Sequence, residues 1–243
     1  MGDGACALGA GRSEIAVLLL ATTLPAAAAW LYFVALAGSP WMPAVYGASK
    51  VVQFSLPAAA ALAAAPRRPA LPPLAPRALG WGFGSGAAAA AALLGLYALV
   101  FRGGSLAAGA RPRISDRIEA IGAGSHARYA ALALFLSVIH SFLEEYYWRW
   151  FVFGRLRAHA GPAAAVAVSS LAFAAHHVIV LHAFMGPERL WTGTAGLSAA
   201  VAAAGAAWAA LYARAGSITS PWISHALVDA ALMAIGYDLR WGW

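Results

Sequence analysis

Two things are scarce in this 243-residue chain: charge, at 10% of residues, and cysteine, which occurs once, as Cys6. A soluble domain carries roughly 25% charged residues, so the shortage excludes a fold wrapped in a charged, water-facing shell. The lone cysteine excludes an intramolecular disulfide and any cysteine-based metal site. Lysine is nearly missing too: Lys50 is the only one among sixteen basic residues, the rest being arginine. Those arginines sit in short connectors between apolar runs and form no continuous basic surface interleaved with aromatics, which excludes nucleic acid as a partner. The net charge of +7 suits anionic lipid headgroups instead.

What is abundant is apolar surface, at 62% of residues. Runs near the roughly 20 residues that a spanning helix needs recur along the chain. They predict an all-α fold, a polytopic transmembrane helical bundle of about seven spans, near 15–38, 42–65, 79–101, 129–153, 162–184, 194–213 and 218–236. The first run extends past Ala26 to about Ala37, longer than a signal-peptide core, and reads as a spanning helix. Tails are expected at 1–14 and 237–243. The segment 15–128 holds the N-terminal helices and an interfacial stretch, and 129–236 forms the core that carries chemistry.

Local signals refine this. From Pro66 to Arg77 a proline-rich basic linker cannot continue a helix, and the positive-inside rule places it in the cytoplasm. Gly80, Gly82, Gly84 and Gly86 open the third span with small residues that permit close helix contact. Ile114, Ile118 and Ile121 share a face, as a helix lying in the interface plane would have them. Lys50 and Gln53 interrupt the second span, where Lys50 reads as snorkelling or lining an interhelical gap rather than as a catalytic base. Tryptophans 41, 81, 191, 241 and 243 lie near segment ends, as an aromatic belt requires.

The fourth span contains Ser141-Phe142-Leu143-Glu144-Glu145-Tyr146-Tyr147-Trp148-Arg149-Trp150. Each unpaired charge at the centre of a bilayer costs roughly 2.5–3.5 kcal/mol, so three of them must be paired or face a cavity. Residues four apart share a helical face. Glu145 and Arg149 therefore form a supporting pair, while Glu144 points elsewhere, beneath His140. Tyr146, Tyr147, Trp148 and Trp150 read as a lipid-facing or helix-packing surface. Further polar groups in apolar surroundings are His177, four residues after Phe173, and His225 with Asp229, again four apart. Three helices can converge these groups on one cavity. A carboxylate, two imidazoles and a second carboxylate are what water activation at an amide uses, and they equally suit a divalent metal such as zinc, with Glu144, His177, His225 and Asp229 as ligands. His140 and His176 are expected to support the site from beside it.

Taken together, Glu144-Glu145-x-x-x-Arg149, Phe173-x-x-x-His177 and His225-x-x-x-Asp229 resemble the CAAX protease and bacteriocin-processing family of intramembrane endopeptidases, over about residues 129–236. The resemblance implies that Glu144 and His177 position and activate the attacking water. It implies that His225 and Asp229 serve the oxyanion or the polar wall of the site, and that Glu145 and Arg149 support them. Family members have been described both as glutamate peptidases and as metalloproteases, so the cofactor is either none or a divalent metal. Asp229 stands where asparagine is frequent; an ionised aspartate cannot donate a hydrogen bond, so Asp229 must be protonated, orient His225 or bind a metal. The expected partners are the lipid bilayer and a membrane protein or peptide substrate, and the alanine- and arginine-rich composition fits a bacterial inner membrane. Two rivals remain: a non-catalytic immunity or scaffold protein, against which the intact motifs argue, and a proton- or metal-coupled transporter, for which no inverted repeat is visible.

Overall fold

The computed structural model describes residues 3–63 and 76–242, with the backbone alone for 3–12, Leu106 and Thr192. The expected basic linker falls mostly on residues 64–75, outside the described residues, as does Trp243. Every regular element among the described residues is helical. The helices are α1 (Asp3–Trp30), continued by a π-helical turn Leu31–Ala35; α2 (Met42–Ala63); α3 (Pro76–Leu96), continued by Tyr97–Phe101; and α4 (Ser105–Ala120). Then follow α5, residues 126–160, α6, residues 162–185, α7 (Gly196–Ala215) and α8 (Thr219–Trp241).

Among the described residues four stretches are long and apolar enough to cross a bilayer: Ser13–Ala35, Pro76–Phe101, His126–Met185 and Gly193–Ala215. The third has 60 residues, which unbent would be roughly 90 Å, three times a hydrocarbon core. Gly161 divides it, with φ 79° and ψ 170°, a backbone state open to glycine, and Pro162 restarts the helix with its fixed φ. α6 then packs back on α5, Ala165 joining Phe153 in one cluster and Phe173 meeting Trp148 in another. The helices expected at 42–65 and 218–236 exist as α2 and α8 but are less apolar. The reason is inward polarity: α2 buries Gln53, and α8 buries Thr219, Ser220, Ser224, His225 and Asp238.

α8 also runs past the expected end at 236, through Trp241. Fully buried Asp238 accepts from Tyr97 Oη at 2.6 Å and from Arg102 Nε and Nη2 at 3.1 and 3.0 Å, which pins the last turn of α8 to the end of α3. Helix likewise covers most of the expected N-terminal tail, since α1 starts at Asp3. In α4, Ile118 packs against Ala123 and Tyr129, and Ile114 lies against both this cluster and that of Tyr97 and Leu239. Two of the three isoleucines therefore meet protein, and Ile121 is exposed.

Two backbone details position the centre of the bundle. Pro25 has no N–H, so the Ala21 carbonyl lacks its helical partner; the Tyr147 hydroxyl donates to that carbonyl at 2.8 Å, tying α5 to α1. On the other side α3 crosses α8 at glycine. A Cβ on Gly82 would stand 2.6 Å from Ser220 O, and one on Gly86 would stand 2.7 Å from Ser224 Cα, whereas Gly80 and Gly84 face open space. Half of the glycine run is thus a close crossing, and it holds Ser224, the residue before His225.

We expect Gly86→Val to destabilise the detergent-solubilised protein by about 1–3 kcal/mol, the range for overpacking, while Gly84→Val leaves the melting temperature unchanged; equal effects would contradict the crossing. Tyr147→Phe should cost about 1–3 kcal/mol by orphaning a buried carbonyl. In a Pro25→Ala background, where helix N–H returns to Ala21, thermal unfolding should show a smaller loss.

Candidate active site

The residues singled out around Glu144 come from three helices and meet in one buried cluster. Around Ser141–Glu145 the winding of α5 loosens into π-helical stretches, Phe135–His140 before and Tyr146–Phe153 after. Such stretches disturb the regular stripe of a helix and are frequent at functional sites. Here Tyr147, Trp148, Arg149, Phe151, Val152 and Phe153 are all buried, so α5 is enclosed from several sides. Tyr147 and Trp148 are core residues; Tyr146 and Trp150 are half-buried and stack on each other at 5.1 Å.

Glu144 is 3% exposed and faces three imidazoles. Its Oε1 lies 3.4 Å from His140 Nε2 and 3.6 Å from His176 Nε2, and its Oε2 lies 3.7 Å from His225 Nε2. His140 reaches it from one turn earlier on α5, His176 from α6 and His225 from α8. Asp229, one turn after His225, places Oδ1 3.6 Å from the same Nε2. His177 Nδ1 lies 2.9 Å from the Phe173 carbonyl. A carbonyl only accepts, so Nδ1 carries the proton and His177 Nε2 keeps its lone pair.

Glu145 has a larger part than a partner for Arg149. Its Oε1 lies 2.8 Å from His225 Nδ1, which fixes that nitrogen as the donor. With Nδ1–H committed, His225 Nε2 is directed between Glu144 and Asp229. A bare lone pair facing two ionised carboxylates is repulsive, so at least one proton resides among His225 Nε2, Asp229 and Glu144. The other oxygen, Glu145 Oε2, is 3.1 Å from Arg149 Nε. That contact is an ion pair by distance rather than an aligned hydrogen bond, since Arg149 Nε and Nη2 have no hydrogen-bond partner. The guanidinium instead lies 4.8 Å from the ring centre of Phe173 on α6 and 5.5 Å from that of Trp208 on α7.

Residues 126–231 match the family model described as Rce1-like, type II CAAX prenyl endopeptidase Rce1-like. This segment belongs to that family. Comparison with curated proteins and with solved structures finds no match. The matched segment contains His140, Glu144, Glu145, Arg149, His176, His177, His225 and Asp229, and it starts with the first residue of α5. With the apolar helices it identifies an integral membrane protein of a membrane-protease family.

Within this CAAX-protease-like core, Glu144, His176 and His177 bring one ligand atom each within 4.8 Å of one another. Two imidazoles and a carboxylate form the donor set of an open catalytic zinc site, and the His177 bond to a carbonyl is the kind that orients a metal-bound imidazole. The donors therefore fit a divalent cation. The grouping differs in membership from the set read from the sequence: among the described residues His176 joins Glu144 and His177, while His225 and Asp229 stay on the other side of the Glu144 carboxylate. Sequence reasoning did not find Trp208, which stacks on the His225 ring at 3.9 Å and 19°. A tryptophan amid alanines in mid-span, away from any aromatic belt, was its only signal. The Glu145 bond to His225 was hidden as well, because it joins residues 80 apart.

Breaking a buried ion pair from one side costs about 3–5 kcal/mol, whereas removing both partners costs less. Glu145→Gln and Arg149→Met should each lower thermal stability by that order, and the double variant by clearly less than the sum. Additive losses in a double-mutant cycle would show that the two side chains act independently.

Proposed function

We propose that the protein is a CAAX-protease-like intramembrane endopeptidase with about seven spans, in which Glu144 is the general base for hydrolytic attack on a peptide bond. The observation that carries this is a buried carboxylate facing three imidazole nitrogens at 3.4, 3.6 and 3.7 Å inside an apolar bundle. Two acceptors bridged by one water at about 2.8 Å each are separated by roughly 4.6 Å. The ligand atoms of Glu144 and His177 lie within 4.8 Å of each other, close to that separation.

In the proposed reaction, water held by Glu144 and the His177 Nε2 lone pair gives its proton to Glu144 as its oxygen attacks the scissile carbonyl. The carbonyl oxygen becomes an oxyanion, stabilised by the proton held between His225 and Asp229, with Glu145 fixing the His225 ring through Nδ1. Collapse breaks the C–N bond, and Glu144 returns its proton to the leaving amine. In this scheme Arg149 serves Glu145, and His140 and His176 hold the Glu144 carboxylate in place. A divalent ion held by Glu144, His176 and His177, or by the wider set with His225 and Asp229, would supply Lewis-acid polarisation of the carbonyl and a more acidic water. The substrate class that suits this site is a membrane protein, leader peptide or C-terminal sorting tail presented within the bilayer, and the composition suits a bacterial inner membrane. Nucleic acid has no place in this reading.

The test is cleavage of membrane-protein tails by the purified chain in liposomes. Glu144→Gln should lower the rate by at least about 10²–10⁴-fold, the range for a positioned acid–base group, with an unchanged melting profile; retained cleavage rejects Glu144 as the base. Chelation then separates the two forms of the chemistry. Cleavage that survives belongs to Glu144 acting directly, and cleavage lost and then restored by added zinc belongs to the metal-assisted form.

A further inference from the structure

The family match begins at residue 126, so α1 and α2 lie outside it, yet α2 reaches the site. Phe54 on α2 meets the ring of His140 edge-on at 6.0 Å, and that of Tyr147 at 6.3 Å. One turn earlier on α2 stands Lys50, the single lysine of the chain, half-buried and within electrostatic reach of Glu144. Its ammonium lies 5.8 Å from the ring centre of Tyr46 and 5.6 Å from that of Phe54. The ammonium donates to Gln53 Oε1 at 3.3 Å, and among the described residues no acid lies in ion-pair contact with it. Gln53 is 1% exposed, and its Nε2 has no hydrogen-bond partner.

α2 thus presents two donors side by side: an ammonium that donates to the Gln53 oxygen, and the amide N–H of the same Gln53, which has no acceptor. A buried donor left unsatisfied is costly, and a half-buried cation without a counterion adds to that cost. The group that relieves both is an anion with two acceptor oxygens. Glu144 does not fill this place at contact distance, because its oxygens face His140, His176 and His225.

We propose that Lys50 and Gln53 form the subsite that reads a free carboxylate on the substrate peptide. The pair lies beside the hydrolytic centre, so it would fix the register of the scissile bond against Glu144. The carboxylate belongs either to the peptide C-terminus or to an Asp or Glu side chain, since both present the same two oxygens. The inference rests on the endopeptidase reading for the identity of the ligand, and the pair is supplied by the part of the chain that the family match does not cover. In this role Lys50 is a specificity-determining residue and takes no part in proton transfer.

Binding can be tested apart from cleavage. The full chain carrying Glu144→Gln, purified in detergent, is titrated with a fluorescent pentapeptide of alanine and leucine. It is compared with the same peptide as its C-terminal carboxamide, and with a carboxamide peptide carrying one internal aspartate. We expect the free acid to bind at least tenfold more tightly than the carboxamide. That ratio should fall to about one in Lys50→Met and survive in Lys50→Arg. Recovery of affinity by the aspartate peptide assigns the side-chain carboxylate as a source, and its absence restricts recognition to the C-terminus. Equal binding of acid and carboxamide, or a ratio unchanged in Lys50→Met, overturns the proposal. Acid-selective binding by a wild-type chain that cleaves nothing would reject the endopeptidase reading and leave the carboxylate subsite standing.

Discussion

The bundle depends on one carboxylate, Glu145, and on the two directions in which it is held. One oxygen accepts a hydrogen bond from His225 Nδ1 at 2.8 Å, and the other faces Arg149 at 3.1 Å. Arg149 in turn lies over Phe173 and Trp208. Through these contacts a single acid on α5 links α6, α7 and α8, the helices that carry the rest of the site. A lone charge at this depth would oppose insertion, and a paired one is tolerated only with its partners in place. The pair therefore selects one arrangement of the four helices.

Glu144 gains its character from that arrangement. Glu145 is the neighbour in sequence that points away, and the two acids meet only through His225, which gives Nδ1 to Glu145 and turns Nε2 to Glu144. The helices that pin His225 do so by backbone proximity. Gly82 and Gly86 let α3 approach α8 at Ser220 and Ser224, and the Trp208 indole donates to Ser224 Oγ at 3.2 Å while its rings stack on His225. Tyr147, tied to the carbonyl that Pro25 leaves free, holds the opposite flank of α5. The imidazole ring is thus oriented by an acid, a stacked ring and a helix crossing, which is the degree of fixing that proton transfer needs.

Much of this was legible in the residues themselves. Spacing of four placed Arg149 against Glu145 and His140 against Glu144, and the ion-pair distances agree with both placements. Apolar length gave the helical class, and the span expected to start at 162 does start there, at Pro162 after the break at Gly161. What spacing cannot show is any contact between helices. The Glu145 bond to His225, the stacking of Trp208 on His225 and the approach of His176 to Glu144 each join residues on different helices, and α-helical periodicity carries no information about them. The extent of α8 was misjudged for a related reason. Asp238 reads as a polar residue ending a span, yet it is buried by Tyr97 and Arg102, which come from another helix end.

The central claim is that Glu145 sets the tautomer of His225 and so points Nε2 at Glu144. It is tested most directly by nitrogen-15 NMR of histidine-labelled protein in micelles, with the His225 signals assigned by their loss in His225→Gln. The account predicts that His225 Nδ1 bears a proton engaged in a strong hydrogen bond, and that Glu145→Gln shifts this signal while leaving the His126 and His159 signals in place. A bare Nδ1 on His225, or a signal indifferent to Glu145→Gln, would contradict it.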